Sequence, residues 1–133
     1  MAKKANECVA LFEAKGAADV YSALVARLQA RVGASLAFED LKQTCVHINA
    51  GKDGTAYAGV HPRKGAVLLN IRTQSPLKSK RVRKVEQVSR NRCHCEILLE
   101  KVADVDGQVI DWLEQAAGLV ADPSKPAAST SKR

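Results

Sequence analysis

Aromatic residues are scarce in this chain of 133 residues, because Phe, Trp and Tyr make up only 4% of it. Its core must therefore be built mainly from Val, Leu, Ile and Ala. No segment approaches the roughly 18 apolar residues that a membrane-spanning helix needs, and the first residues lack the apolar stretch of a secretory signal. We expect a cytoplasmic protein without a membrane partner, in which the four cysteines are reduced thiols.

The chain also lacks a recognised catalytic signature, since neither a glycine-rich oxyanion loop nor a sharp nucleophile turn accompanies its cysteines and histidines. Cys93, His94 and Cys95, together with Cys45 and His47, suggest zinc ligands. Structural zinc sites, however, favour two to four residues between paired ligands, and neighbouring residues of a strand point to opposite faces. The sequence therefore predicts neither a metal site nor a cofactor.

Acidic residues are nearly missing from residues 62–92, which hold ten Lys or Arg residues and Glu86 as the one acid, within a chain of formal net charge +7. Such a basic side favours anionic partners. The densest cluster is predicted to contact nucleic-acid phosphates, and its members are Lys78, Lys80, Arg81, Arg83 and Lys84. A solvated basic loop is the alternative, because modules that bind single strands usually add stacking aromatic residues.

Apolar residues at helical spacing predict a short helix at residues 8–12 and a longer one at residues 17–32, which Gly33 ends. A last helix follows Asp104, the predicted N-cap. We expect residues 1–121 to form a single domain and residues 122–133 to be a mobile tail, since the tail lacks apolar periodicity.

Alternating apolar and polar residues predict strands between these helices, separated by turn signals such as the Asp53-Gly54 pair. Residues 73–80 contain Pro76 and polar side chains, which favours a loop. The predicted fold class is α+β, with an antiparallel sheet of about five strands packed against helices from both ends of the chain.

The strand alternation divides the predicted sheet into an apolar face, directed towards the helices, and an outer face. The outer face collects all three histidines and Cys45. We predict that ligand-binding residues lie on it or at its rim, namely His47, Tyr57, His61, Arg63, Arg72, Arg92, His94 and Glu96. A solvated sheet face without a site is the alternative, since antiparallel sheets commonly expose one face to water.

Several segments, residues 12–15, 61–64, 85–94 and 104–113, resemble the bacterial domain of unknown function 5655 in their order and spacing. The resemblance covers about residues 12–117 and implies an α+β domain that occurs alone or behind other domains, without an established activity. The resemblance also implies candidate site residues, at the positions that this chain shares with the family: Pro62, Arg63, Lys64, Asn91, Arg92 and His94. Similar sequences often have an aromatic residue at the position of Cys93 and a histidine at that of Cys95, so this chain departs from the pattern there.

Charge and patterning together favour a small binding or accessory module whose basic side recognises an anionic small molecule, a nucleic acid or an acidic protein surface. The alternative is an enzyme that uses a pocket lined by His and Arg on the outer face. In that case His94 would be the base and Glu96 its orienting carboxylate, while Arg72 or Arg92 would hold an anionic substrate.

Overall fold

The computed structural model describes residues 2–121, with side chains for residues 7–120, and places six strands of this range in one antiparallel sheet. The strands are β1 (Phe38–Leu41), β2 (Val46–Asn49), β3 (Ala56–Arg63), β4 (Ala66–Thr73), β5 (Val82–Ser89) and β6 (Arg92–Leu99). Their spatial order is β1-β2-β3-β4-β6-β5. The α+β class is confirmed, although the short β1 brings the strand number to six. The predicted tail, residues 122–133, lies outside the described residues.

Helices α1 (Ala2–Glu13), α2 (Ala18–Val32) and α3 (Gly107–Ala121) cover one face of the sheet. The buried stripe of α2 is Val20, Tyr21, Leu24, Val25 and Leu28, the spacing that one side of a helix requires. Gly33 ends α2 with a φ of 93°, a conformation that glycine adopts without steric cost, and its N–H bonds the Gln29 carbonyl at 2.8 Å. The α1 boundary extends the short helix predicted at residues 8–12.

The beginning of α3 corrects one prediction. Asp104 lies in a short 3₁₀ turn (Val102–Asp104), where its carboxylate accepts hydrogen bonds from the backbone N–H groups of Glu100 and Lys101 at 2.9 and 3.3 Å. Asp106 caps α3 instead, because its carboxylate accepts the N–H of Val109 at 3.2 Å. The predicted N-cap was therefore two residues too early.

The core lies between the helices and the inner face of the sheet. Strands β4 and β6 each contribute alternate residues, and the side chains of Val67, Leu69, Ile71, Ile97 and Leu99 are 0–1% exposed. The apolar face that the alternation predicts is thus buried at these positions. Such complete burial favours each of these side chains by roughly 1.5–3 kcal/mol relative to an exposed position.

The connection between β4 and β5, residues 74–81, passes β6 on the helix side of the sheet. Leu77 in this connection faces the last turns of α3, and Arg81 bonds the Asp106 carboxylate at 2.9 and 3.0 Å. The inward residues Cys93 and Cys95 of β6 are 0% exposed. The connection also places β5 at the edge of the sheet, beyond β6.

Candidate functional site

The candidate site lies in the middle of the outer face, where register brings polar residues from four strands side by side. His47 of β2 is opposite Gly59 of β3, Gly59 is opposite Asn70 of β4, and Asn70 is opposite Glu96 of β6. Residues paired across antiparallel strands point to the same face. A second row places Arg72 of β4 opposite His94 of β6.

These rows surround a basin of about 230 Å³, which we call the outer-face basin. Its walls include all three histidines, two arginines and Tyr57, so six of the eight predicted ligand-binding residues line it. The full lining is His47, Ala56, Tyr57, Ala58, Gly59, His61, Asn70, Arg72, Arg92 and His94. The three imidazoles that the sequence placed on the outer face therefore line one concavity.

Gly59 shapes the floor of the outer-face basin. A Cβ atom at this position would lie 3.3 Å from Nε2 of His61 and 3.9 Å from Cβ of Asn70. The His61 imidazole therefore lies over the β3 backbone in space that any other residue would occupy. A glycine in a strand often marks such a close approach.

Arg72 and Arg92 bring two positive charges to the basin without a neutralising carboxylate. Within residues 2–121, neither guanidinium forms an ion pair, and Nε of Arg92 is buried without a hydrogen-bond partner. Burial, followed by the nearby charge of Arg92, lowers the pKa of Arg72. Unpaired buried donors cost free energy. An anion that accepts hydrogen bonds from them would remove this cost.

The environment favours the neutral form of two of the histidines. Burial and then the charge of Arg92 lower the pKa of His94, whereas Glu86 raises it. For His61, burial and then the charge of Arg63 lower the pKa, and Glu96 opposes them. A neutral imidazole has one donor and one acceptor nitrogen, so each ring is equipped to donate to an anion or to take up a proton with it.

Glu86 is a site residue that the sequence did not predict. It lies opposite His94 and lines a small depression of about 20 Å³ beside the basin, with Asn70, Lys84, His94 and Glu96. Ser89 pairs with Arg92 at the tight turn between β5 and β6. If the same register continued along both strands, Glu86 would lie opposite Cys95, on the helix side. A register shift between Gln87 and Ser89 moves it by one residue and turns its side chain outward.

Tyr57 was predicted on the outer face, and this prediction is wrong. Its side chain is 1% exposed, belongs to the core, and donates a hydrogen bond to the Leu36 carbonyl at 2.6 Å. The reason is a β-bulge: Ile48 pairs with Ala58 while Asn49 pairs with Ala56, which leaves Tyr57 as an extra residue. The bulge inverts the alternation, so Tyr57 turns inward and its neighbour Ala56 is only half-buried and lines the basin.

Arg63 and Glu96 lie outside the basin itself, and Cys45 is buried. Arg63 is exposed at the end of β3, bonds the Pro62 carbonyl at 2.9 Å, and does not line the basin. Glu96 lines the neighbouring depression rather than the basin itself. Cys45, assigned to the outer face, is 7% exposed and precedes β2.

The predicted nucleic-acid cluster divides into two kinds of residue. Lys78, Lys80, Arg83 and Lys84 are exposed. Arg81 instead joins the β4–β5 connection to the beginning of α3. Its guanidinium donates hydrogen bonds to the Asp106 carboxylate and, at 2.7 Å, to the Asp104 carbonyl. A guanidinium held in this way has few donors left for a phosphate.

A larger groove, of about 510 Å³, lies at the end of the sheet and was not predicted. It runs between the beginning of the β4–β5 connection and the last turns of α3, where Leu77 and Leu119 give it an apolar part. Arg72 lines both this groove and the outer-face basin. The two concave surfaces are therefore neighbours on either side of one residue.

No group of three or more His, Cys, Asp or Glu side chains within residues 2–121 is arranged to hold a metal ion. Cys93 and Cys95 lie on the helix side, whereas His94 between them lies on the outer face. In the same range, no helix is long and apolar enough to cross a membrane.

Fold and site together define an α+β protein whose antiparallel sheet has helices on one face and a basic, imidazole-lined basin on the other. No family model, no curated protein and no solved structure matches the chain.

Proposed function

We propose that the chain is a binding module that holds a small anionic group, such as a phosphate or a carboxylate, in the outer-face basin. The observation that carries the proposal is the meeting of Arg72 and Arg92 in one concavity, where the described residues supply no carboxylate to pair with either. Like charges at close range repel each other, and a bound anion relieves this repulsion. Guanidinium groups also match carboxylate and phosphate oxygens in geometry.

The size of the basin supports a small group. Its volume of about 230 Å³ is below the range of roughly 300–1,000 Å³ that is typical of pockets for drug-sized ligands. A phosphate or carboxylate group fits within it, and the rest of a larger ligand would extend outside. The groove that shares Arg72 offers room for such an extension.

The histidines couple this binding to protons. A bound anion favours the charged imidazolium, so it raises the pKa of His61 and His94 from their lowered values. By linkage, binding takes up protons, and the affinity for the anion increases as the pH falls towards the ordinary histidine pKa of 6.5.

Calorimetric titration with inorganic phosphate tests this function in the full chain. Replacing Arg72 or Arg92 by Ala should weaken binding about 10-fold to 100-fold, since a charge-assisted hydrogen bond contributes roughly 1.5–3 kcal/mol. Arg83→Ala is the matched control, because it removes the same charge from an exposed position outside the basin. Equal losses in all three variants would show a diffuse charge effect, and absence of binding in the parent chain would refute the proposal.

Nucleic-acid phosphates are one source of the anionic group. The exposed Lys78, Lys80, Arg83 and Lys84 would then extend the contact beyond the basin. In that case the logarithm of the binding constant for single-stranded RNA falls linearly with the logarithm of the salt concentration, by about 0.7 per phosphate engaged. Binding of free phosphate without any binding of RNA restricts the function to small ligands.

Acid–base catalysis is a second candidate function, favoured by a carboxylate that lies opposite a histidine of lowered pKa. His94 lies opposite Glu86, and Glu96 acts on the charge of His61. The orienting partner of His94 in this proposal is therefore Glu86 instead of the predicted Glu96. Hydrolysis of a phosphate ester by the purified chain, lost in His94→Ala while phosphate still binds, would support an enzyme.

We also propose that the chain is a member of the bacterial domain of unknown function 5655. Arg92 and His94, two of the positions carried over, line the basin. Cys95, where similar sequences have histidine, is buried on the helix side, so the departure there leaves the basin residues unchanged. A cytoplasmic location is also proposed, because Cys8, Cys45, Cys93 and Cys95 are free thiols.

A further inference from the structure

Strand β5 is an exposed edge of the sheet. It pairs with β6 on one side, and every residue of it except Val82 is exposed. The exposed large hydrophobic side chains among the described residues are Val85 and Val88, at 39% and 49%, and both belong to this strand. An edge strand with apolar side chains is a template for pairing with another strand.

Two irregularities limit the part of β5 that can pair. Register shifts leave Arg83 and Val88 as extra residues, one near each end of the strand. Between them, residues 84–87 keep a regular antiparallel register with β6. Bulges disrupt a ladder locally, so any additional strand on this edge is restricted to a short central segment.

The central segment is complementary to itself. We propose that β5 pairs antiparallel with β5 of a second copy of the chain, with Val85 opposite Val85 of that copy. This register sets Lys84 opposite Glu86 of the second copy, and by symmetry the same pair forms again on the other side of the axis. Opposite charges directly across a ladder stabilise it, and the two valines form an apolar pair at its centre.

The geometry of this dimer follows from its symmetry. Antiparallel pairing of identical strands has a two-fold axis perpendicular to the sheet, so the two outer faces look in the same direction. Strand β4, at the centre of each basin, is then five strand spacings from its counterpart, or about 24 Å. The dimer presents two anion-binding basins on one continuous surface, a consequence that rests on the proposed function, whereas the pairing itself does not.

The association should be weak, because the ladder is short, and it should stop at a dimer. Pairing through a few residues buries less area than a stable complex requires, so we expect a dissociation constant of roughly micromolar to millimolar size. Because the same edge is used by both copies, the assembly stops at two chains.

A cysteine placed at the two-fold axis tests the register. In Val85→Cys, the new thiols would lie opposite each other at a Cα separation of about 4.5–5.5 Å, within disulfide range. Val88→Cys is the matched control, because its counterpart would be about 20 Å away along the strand. Cys95 lies opposite residue 85 within the same chain, so both variants are made together with Cys95→Ala, which removes the thiol that could compete. We expect disulfide-linked dimers for Val85→Cys alone, and equal cross-linking of both variants would overturn the proposal.

Charge exchange provides a second test, by sedimentation of the full chain over a concentration series. Lys84→Glu and Glu86→Lys should each weaken the dimer at least 10-fold, since like charges then face each other twice. The double exchange should restore it. Circular dichroism identifies any variant that loses its fold, because these residues also face Glu96 and His94 of β6. A parent chain that stays monomeric at millimolar concentration refutes the dimer, whether or not phosphate binds.

Discussion

The hydroxyl of Tyr21 donates a hydrogen bond to the carboxylate of Glu39, which joins α2 to the edge strand β1. The Tyr21 ring is 0% exposed and stacks on Phe12, with 4.2 Å between the ring centroids. This contact fixes one side of the helix layer on the sheet.

Tyr21→Phe should therefore lower the free energy of unfolding by about 1–2 kcal/mol, because a hydrogen bond to a charged group is lost while the ring remains. Chemical denaturation measures the change. Ser22→Ala is the control, since Ser22 is exposed on the same helix and should cost little. A loss in Tyr21→Phe no larger than in this control would mean that the hydrogen bond contributes nothing measurable.

Alkaline pH should destabilise the fold. Burial first, and then Glu39, raise the pKa of Tyr21, and burial raises the pKa of Tyr57, both from an ordinary value of 10.0. The unfolded chain then loses these protons before the folded chain does, so the free energy of unfolding falls as the pH rises above 10.0. Denaturation curves at increasing pH check this, and Tyr57→Phe should make the decline shallower.

Mild acid should also destabilise the free protein. The pKa values of His61 and His94 are lowered, chiefly by burial, so the unfolded chain binds protons first as the pH falls below 6.5. The free energy of unfolding then decreases towards the lowered pKa values. Titration of the imidazoles by NMR measures the pKa values directly. Phosphate should raise them in the parent chain and leave them unchanged in Arg72→Ala, and an equal rise in both would contradict the basin as the binding site.

Gly59→Ala should move His61 without unfolding the chain. The new Cβ would lie 3.3 Å from Nε2 of His61, and a half-buried imidazole can rotate away. We expect weaker phosphate binding and a shifted His61 NMR signal. Gly118→Ala is the matched control: it has open space and should stabilise α3 by about 0.5–1 kcal/mol. Unchanged phosphate binding in Gly59→Ala would remove His61 from the site.

Arg81→Ala should reduce stability and leave nucleic-acid binding nearly unchanged. The variant loses an ion pair with Asp106 and a hydrogen bond to the Asp104 carbonyl. Because the ion pair is partly exposed to solvent, we expect the free energy of unfolding to fall by about 1 kcal/mol. Lys80→Ala should show the opposite pattern, since Lys80 is exposed. Thermal denaturation and RNA titration of both variants separate the two roles. An Arg81→Ala chain of full stability would show that the contacts of Arg81 with Asp104 and Asp106 do not stabilise the fold.

Local sequence patterns determined the secondary structure and much of the basin. The alternation along β4 and β6 sets Arg72, Arg92 and His94 outward while Ile71 and Ile97 are buried, because side chains of a regular strand alternate strictly. The apolar stripe of α2 likewise follows from helical spacing. These features depend on residues close in the chain, so the sequence by itself was sufficient.

The tertiary structure decided the features that depend on how strands pair. One extra residue at Tyr57 turned a predicted ligand contact into a core side chain, and another at Val88 turned Glu86 towards His94. The β4–β5 connection crosses the helix side of the sheet, and this path brings Arg81 within hydrogen-bond distance of Asp106. A bulge inverts the side chains on one side of it relative to those on the other, and its position is set by the neighbouring strands, which local alternation does not record.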